Sequence, residues 1–299
     1  MLRHLAACLA LLALALPAPA VAQAPIYERD DRHHPVIAAR TMVVAQEARA
    51  AEVGRQVLAA GGNAVDAAVA TAFALAVTLP RAGNLGGGGF MLVHMADSNE
   101  TVAIDYRETA PASASRDMFL DAQGRADPAL SRFDGKAIGV PGTVAGMALA
   151  LERFGTWTLA EAITPALRLA EEGFIVSRDL ADSLLALEER LRRWPATRAV
   201  FFRGDERPIG AGELLRQPDL ARTLRLIAEQ GPDGFYRGEI AARIAAAVRE
   251  AGGIMTAEDL AVYRPRLRAP VLGSYRGHGI VSMPPPSSGG VHLVQMLNI

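Results

Sequence analysis

The sequence predicts an α+β layered domain, and three observations carry that prediction. Strand-like apolar stretches lie at 90–95 and 101–106, and again near the C-terminus in PVLGSY and GIVSM. Helical periodicity fills the interval from 143 to 262 between them. Strands at both ends with a helical middle do not make the regular strand–helix alternation of a βαβ repeat. With 299 residues, 51% hydrophobic and 21% charged, the chain has enough apolar sequence for one large domain or two modest ones, and no repeat, low-complexity tract or linker divides it beyond residue 40.

Residues 1–22 read as a secretory signal peptide. Arg3 and His4 precede an apolar stretch over 5–16, Pro17 and Pro19 break it, and Ala20-Val21-Ala22 supplies the small-x-small ending before Gln23. A membrane anchor is the alternative, but the apolar run is short of the ~20 residues that spanning requires. Cleavage would also remove Cys8, the only cysteine, leaving no disulfide, thiol nucleophile or cysteine metal ligand. This predicts an exported, periplasmic or extracellular protein with no anchor after cleavage.

A polar lead, 23–40, follows, and the main region runs over 41–299. Its first part reads as two helices joined by Gly61-Gly62-Asn63, with a glycine ending the first and Asn63 or Asp66 capping the second. The alanine-rich second helix is apolar all round and is therefore expected to be buried. The strands at 90–95 and 101–106 pair across Ala96-Asp97-Ser98-Asn99. Helices are expected over 143–154, 158–172, 179–192, 219–230 and 237–251, and Thr256-x-x-Asp259 reads as the capping box of a short last one. The terminal run GGVHLVQMLNI starts like a helix but offers no expected C-cap or charged last turn, which predicts that the chain is the front part of a longer protein.

Charge excludes some classes. With 31 basic against 32 acidic residues, nothing marks a nucleic-acid or anionic-membrane partner. No GxGxxG or GK[ST] loop is present, and neither HExxH nor a GxSxG elbow occurs. His94, His278 and His292 stand apart, and a lone strand histidine reads as a packed residue rather than a metal ligand. No metal or cofactor is implied.

Two features retain chemical interest. Gly86, Gly87, Gly88 and Gly89 lack a Cβ, so their backbone can take positive φ or bring N–H groups close to a ligand or another strand. The plainer reading is a tight turn between a buried helix and a strand. Arg107, in DYRETAP, follows an apolar strand; it reads either as a structural ion pair with Asp105 or Glu108 or as a bidentate carboxylate ligand. The hydroxyls of Ser287 and Ser288 before Gly289-Gly290 read as a helix cap rather than an anion site.

Taken together, GGNAVDAAVA, AGNLGGGGFML, DYRETAP, RDMFLD, GVPGTVAG, AEEGF, EQGPDGFYRG, EDLAVYRP and SMPPPSSGG, in this order from about residue 40 onward, resemble the gamma-glutamyltranspeptidase family. The resemblance implies an N-terminal nucleophile hydrolase αββα sandwich, here its large-subunit part. It implies a precursor that cleaves itself, so that a new N-terminal threonine on a small subunit attacks the γ-glutamyl amide of glutathione and related γ-glutamyl compounds. The α-amine beside that hydroxyl acts as its base, and the group passes to water or to an amino acid or peptide acceptor. No threonine here has the family's Thr-x-His setting, so no catalytic residue is assigned and the nucleophile is expected beyond Ile299; the chain alone is expected to be inactive. Arg107 carries over as the group that binds the α-carboxylate of the γ-glutamyl moiety, and Gly86 to Gly89 as pocket scaffold. Other amides, such as poly-γ-glutamate or a β-lactam side chain, and a non-catalytic glutamyl-binding chain are the alternatives.

Overall fold

Asn63 decides where the second helix begins. Its side-chain oxygen accepts from the N–H groups of Val65 and Asp66, at 2.8 and 3.0 Å, while Asp66 reaches back to the N–H of Asn63 at 2.7 Å. The expected alternatives, Asn63 or Asp66, are thus two halves of one capping box. The computed structural model describes residues 36–204 and 206–299, so the signal-peptide reading, Cys8 and most of the polar lead lie outside the described residues. Residues 41–299 pack as one compact unit.

Within it, α1 (Ala48–Ala59) starts from Glu47, whose carboxylate accepts from the N–H of Ala50, and ends before Gly61 at φ +94°. Next, α2 (Ala64–Thr78) is buried on nearly every side, as its composition predicts, and packs against α1 and against two later helices. Strands β1 (Phe90–Met95) and β2 (Glu100–Asp105) pair antiparallel, with Phe90 opposite Asp105 and Met95 opposite Glu100. A short α3 (Leu130–Phe133) and a 3₁₀ turn, Gly135–Ala137, lead into α4 (Thr143–Phe154) and α5 (Leu159–Glu172).

The helix expected over 179–192 is divided. After β3 (Phe174–Ile175), α6 (Arg178–Ala186) stops at Leu187, and α7 (Glu188–Leu191) continues separately. The reason lies in burial: Leu180 and Leu184 face the core, but Leu185 and Leu187 are 62% and 44% exposed, so no continuous apolar face extends the helix. The α8 helix (Pro195–Phe201) and β4 (Leu214–Leu215), which pairs with β3, were not legible as periodic segments. The remaining helices are α9 (Pro218–Gln230), the single turn α10 (Asp233–Tyr236), α11 (Gly238–Glu250) and α12 (Ala257–Val262), the last begun by the expected Thr256–Asp259 capping box.

A third strand completes the first sheet. The three-residue β5 (Arg266–Arg268) lies antiparallel to β2, placing Arg266 opposite Asp105 and making β2 the central strand. Its Arg-Leu-Arg sequence is too short to show a period. The expected C-terminal strands form a hairpin, β6 (Val271–Tyr275) with β7 (His278–Ser282), and α13 (Gly289–Leu297) packs against it. One expectation fails here. Asn298 does cap α13: its side-chain amide donates to the carbonyls of Val294 and Ser274, at 2.8 and 3.0 Å. At the other end the N-cap residue, Ser288, makes no side-chain capping hydrogen bond, and it is the Ser287 hydroxyl that accepts from the N–H of Gly289.

Candidate functional site

Arg107 leaves the end of the central strand on a segment tied down at several points. Tyr106 still pairs with Gly89 through two backbone hydrogen bonds, so the ladder extends one residue beyond β2. Asp105, 7% exposed, accepts from the backbone N–H of Arg107 at 3.1 Å and from the Arg268 guanidinium at 2.8 Å. The Tyr263 phenol donates to the Arg107 carbonyl at 2.8 Å. Asp259 accepts from the N–H of Ala112 at 2.7 Å with one oxygen and from Thr256 with the other. Thr109 and Val140 exchange two backbone hydrogen bonds, joining this segment to the one that carries the 3₁₀ turn.

These contacts settle what happens to the charges. Desolvation works against ionisation of Asp259, but the hydrogen bonds from Ala112 and Thr256 prevail and lower its pKa. Burial raises the pKa of Tyr106 to about 12. It likewise raises that of Tyr263, with the negative charges of Asp105 and Glu108 adding to the effect, so the phenol stays a neutral donor. The Arg107 side chain is exposed, and its guanidinium lies 5.8 Å from the Phe90 ring centroid, a cation–π contact. Among the described residues no carboxylate pairs with it. The ion pair with Asp105 open in the sequence is made by Arg268 instead, and Glu108 forms none with Arg107.

Arg107 and Glu108 line a cleft of 380 Å³ whose other lining includes Ala110, Met118, Phe119 and the segment from Lys136 to Gly139. A guanidinium on a braced backbone that lines a small, partly apolar cleft is suited to a carboxylate on a small molecule.

Of the two uses expected for the four glycines, positive φ and close approach, the structure shows the second. None of Gly86 to Gly89 has positive φ, and none lines the cleft. The carbonyl of Gly87 accepts from the N–H groups of Gly142 and Thr143, at 2.7 and 3.0 Å, so this run satisfies the start of α4. The need for glycine is steric. A Cβ on Gly88 would lie 2.5 Å from the Tyr106 carbonyl oxygen, and one on Gly89 would lie 2.8 Å from the Tyr106 ring. Gly88 also abuts the Glu108 carboxylate, which places the run directly behind the cleft. A Cβ on Gly86 would meet nothing within 4 Å, and one on Gly87 would meet the Asn84 side chain.

His94 corrects another expectation. It is exposed on β1 and hydrogen-bonded across the hairpin to Thr101 at 2.9 Å, rather than packed in the core. Sequence reading missed Tyr263, Arg268 and Lys136 as parts of the site. Asp259 was visible only as a helix cap, since nothing local shows that its other oxygen crosses to Ala112.

Residues 50–299 match the family model described as gamma-glutamyltranspeptidase. The chain is 51% identical over 288 residues to the glutathione hydrolase proenzyme of Escherichia coli (strain K12), covering 96% of this chain and 49% of that protein. It superposes on the crystal structure of Helicobacter pylori gamma-glutamyltranspeptidase with a TM-score of 0.86 and 47% identity, covering 88% of this chain and 76% of that one. The gamma-glutamyltranspeptidase of Pseudomonas nitroreducens, solved in complex with L-DON, gives a TM-score of 0.79 and 41% identity over 86% of this chain and 74% of that one. These likenesses give the fold as the N-terminal nucleophile hydrolase αββα sandwich, of which this chain covers a part. It spans about half the length of the curated relatives it matches.

Proposed function

This chain belongs to the gamma-glutamyltranspeptidase family, and from that membership we propose that it is the large-subunit region of an exported gamma-glutamyltransferase and glutathione hydrolase. The nucleophile is a threonine of a small subunit made from the same precursor. Its hydroxyl adds to the γ-glutamyl amide carbonyl of glutathione while its own α-amine takes the proton. The C–N bond then breaks and the amine of cysteinylglycine leaves protonated. The resulting γ-glutamyl ester is opened by water, releasing glutamate, or by the amine of an amino acid or peptide acceptor. Alone, this chain has no turnover.

In this reading Arg107 holds the α-carboxylate of the γ-glutamyl group, and the glycine run behind it keeps the Arg107 segment in place. The observation that carries the reading is an exposed guanidinium lining a cleft and, among the described residues, without a carboxylate partner, although Asp105 and Glu108 stand close to it in sequence. A bidentate pair with a ligand carboxylate would use that charge.

The test is Arg107→Ala in the full precursor. Losing a charge-assisted pair of hydrogen bonds, worth about 3 kcal/mol together at an exposed guanidinium, should raise KM for glutathione on the order of 100-fold. Self-cleavage into two chains should proceed as in the parent. An unchanged KM removes Arg107 from the site.

A further inference from the structure

The Arg107 cleft holds a second cation that the α-carboxylate leaves unused. All but one of the 31 lysine and arginine residues are arginine, and the single lysine, Lys136, lines this cleft. It is half-buried, and among the described residues no carboxylate pairs with it. Glu108 lines the same cleft, and the two form no ion pair.

The Lys136 backbone is held firmly. Asp134 accepts from its N–H at 2.9 Å, and Ile138 closes the 3₁₀ turn onto the Gly135 carbonyl. Gly135 donates to the Ala251 carbonyl, and a Cβ on Gly135 would lie 2.3 Å from that oxygen. The paired Thr109 and Val140 couple this turn to the Arg107 segment. Two cations are therefore presented to one cleft from two braced segments, with Met118, Phe119 and Ile138 forming apolar lining. At 380 Å³ the cleft lies in the range of roughly 300–1,000 Å³ that takes a whole small-molecule ligand rather than a single head group.

Two like charges lining one cleft are best satisfied by a ligand that carries two anionic groups. We propose that Lys136 binds the carboxylate at the far end of the donor, the free C-terminus of the peptide that leaves, and so selects γ-glutamyl peptides over γ-glutamyl amides lacking that charge. This rests on the assignment of Arg107 to the α-carboxylate. The ammonium acts as a point charge at the end of a flexible stem, which suits leaving peptides of differing length.

The experiment compares glutathione with γ-glutamyl-p-nitroanilide, which keeps the γ-glutamyl head group but carries no leaving-group carboxylate. In the processed full-length enzyme, Lys136→Gln should lower the ratio of kcat/KM for glutathione to that for the anilide about tenfold, and Lys136→Arg should restore most of it. Arg107→Ala should lower both values together. A ratio that Lys136→Gln leaves within twofold of the parent overturns the proposal. If the parent turns over neither substrate, the proposed function fails separately, and acylation of the Lys136 amine, followed by peptide mass, still decides this inference. Protection by glutathione and not by the anilide supports it, and equal labelling with and without glutathione overturns it.

Discussion

Asp66 and Arg107 are both charged groups at the edge of a core element, yet one is saturated and the other is not. Asp66 is fully buried where α2 meets the start of α5, and its carboxylate accepts from the backbone N–H groups of Asn63, Thr156 and Trp157 and from the Thr156 hydroxyl. Arg107 has an equally well-braced backbone, but among the described residues its guanidinium has no carboxylate partner and lies over the face of Phe90. A buried charge must be compensated from within the fold, whereas an exposed one can be left for a ligand. What sets Arg107 apart from a merely exposed arginine is that it also lines the cleft.

The saturated side should break first and hardest. Asp66→Asn turns an acceptor of four hydrogen bonds into a group that must point an NH₂ at some of those donors. The expected loss is about 3 kcal/mol of unfolding free energy, read from urea denaturation at neutral pH. The parent should also show an acid dependence. Desolvation of Asp66 works against ionisation, but its hydrogen bonds outweigh that and hold the pKa below the ordinary value. The stabilisation is therefore complete above the unfolded value of about 3.9 and is lost as pH falls through the lower folded value. A variant as stable as the parent, with the same acid limb, would show that the hub is not what holds this junction.

A smaller effect should come from the brace of the site. Tyr263→Phe removes the hydrogen bond to the Arg107 carbonyl but keeps the ring that stacks on Tyr236. Stability should fall by about 1 kcal/mol, and KM for glutathione should rise severalfold with kcat little changed. If kcat falls with KM constant, the phenol acts on the chemistry and not on the position of Arg107.

The smallest effect should be a gain. The hydroxyl of Thr71 is buried against α1 and, among the described residues, has no hydrogen-bond partner, so Thr71→Val exchanges an unsatisfied polar atom for a methyl group of similar volume. Thermal unfolding should move upward by an amount equivalent to about 0.5–1 kcal/mol. A downward shift would mean that the hydroxyl has a partner after all.

How far the sequence reaches follows from how local each signal is. Asn63, Asp66, Thr256 and Asp259 announce helix starts because capping needs residues only three apart. The pairing of β1 with β2 was legible for the same reason, across a short turn. The link from Asp105 to Arg268 spans 163 residues, and that from Tyr263 to Arg107 spans 156, so neither leaves a pattern in any window. The glycine run stands out by composition, and of its expected uses the structure shows close backbone approach without positive φ. Its purpose, close approach to Tyr106 and to the start of α4, involves residues far along the chain. Lys136 was visible as a letter but not as a neighbour of Arg107.

The central claim is that Arg107 recognises the α-carboxylate of a γ-glutamyl group, and a substrate lacking that one group tests it most directly. The measurement is kcat/KM for glutathione and for 4-aminobutyryl-cysteinylglycine, its counterpart without the α-carboxylate, in the processed parent enzyme and in Arg107→Ala. The parent should prefer glutathione on the order of 100-fold, and the variant should show almost no preference. A variant that keeps the parent's preference would contradict the assignment, because the carboxylate would then be read by another group.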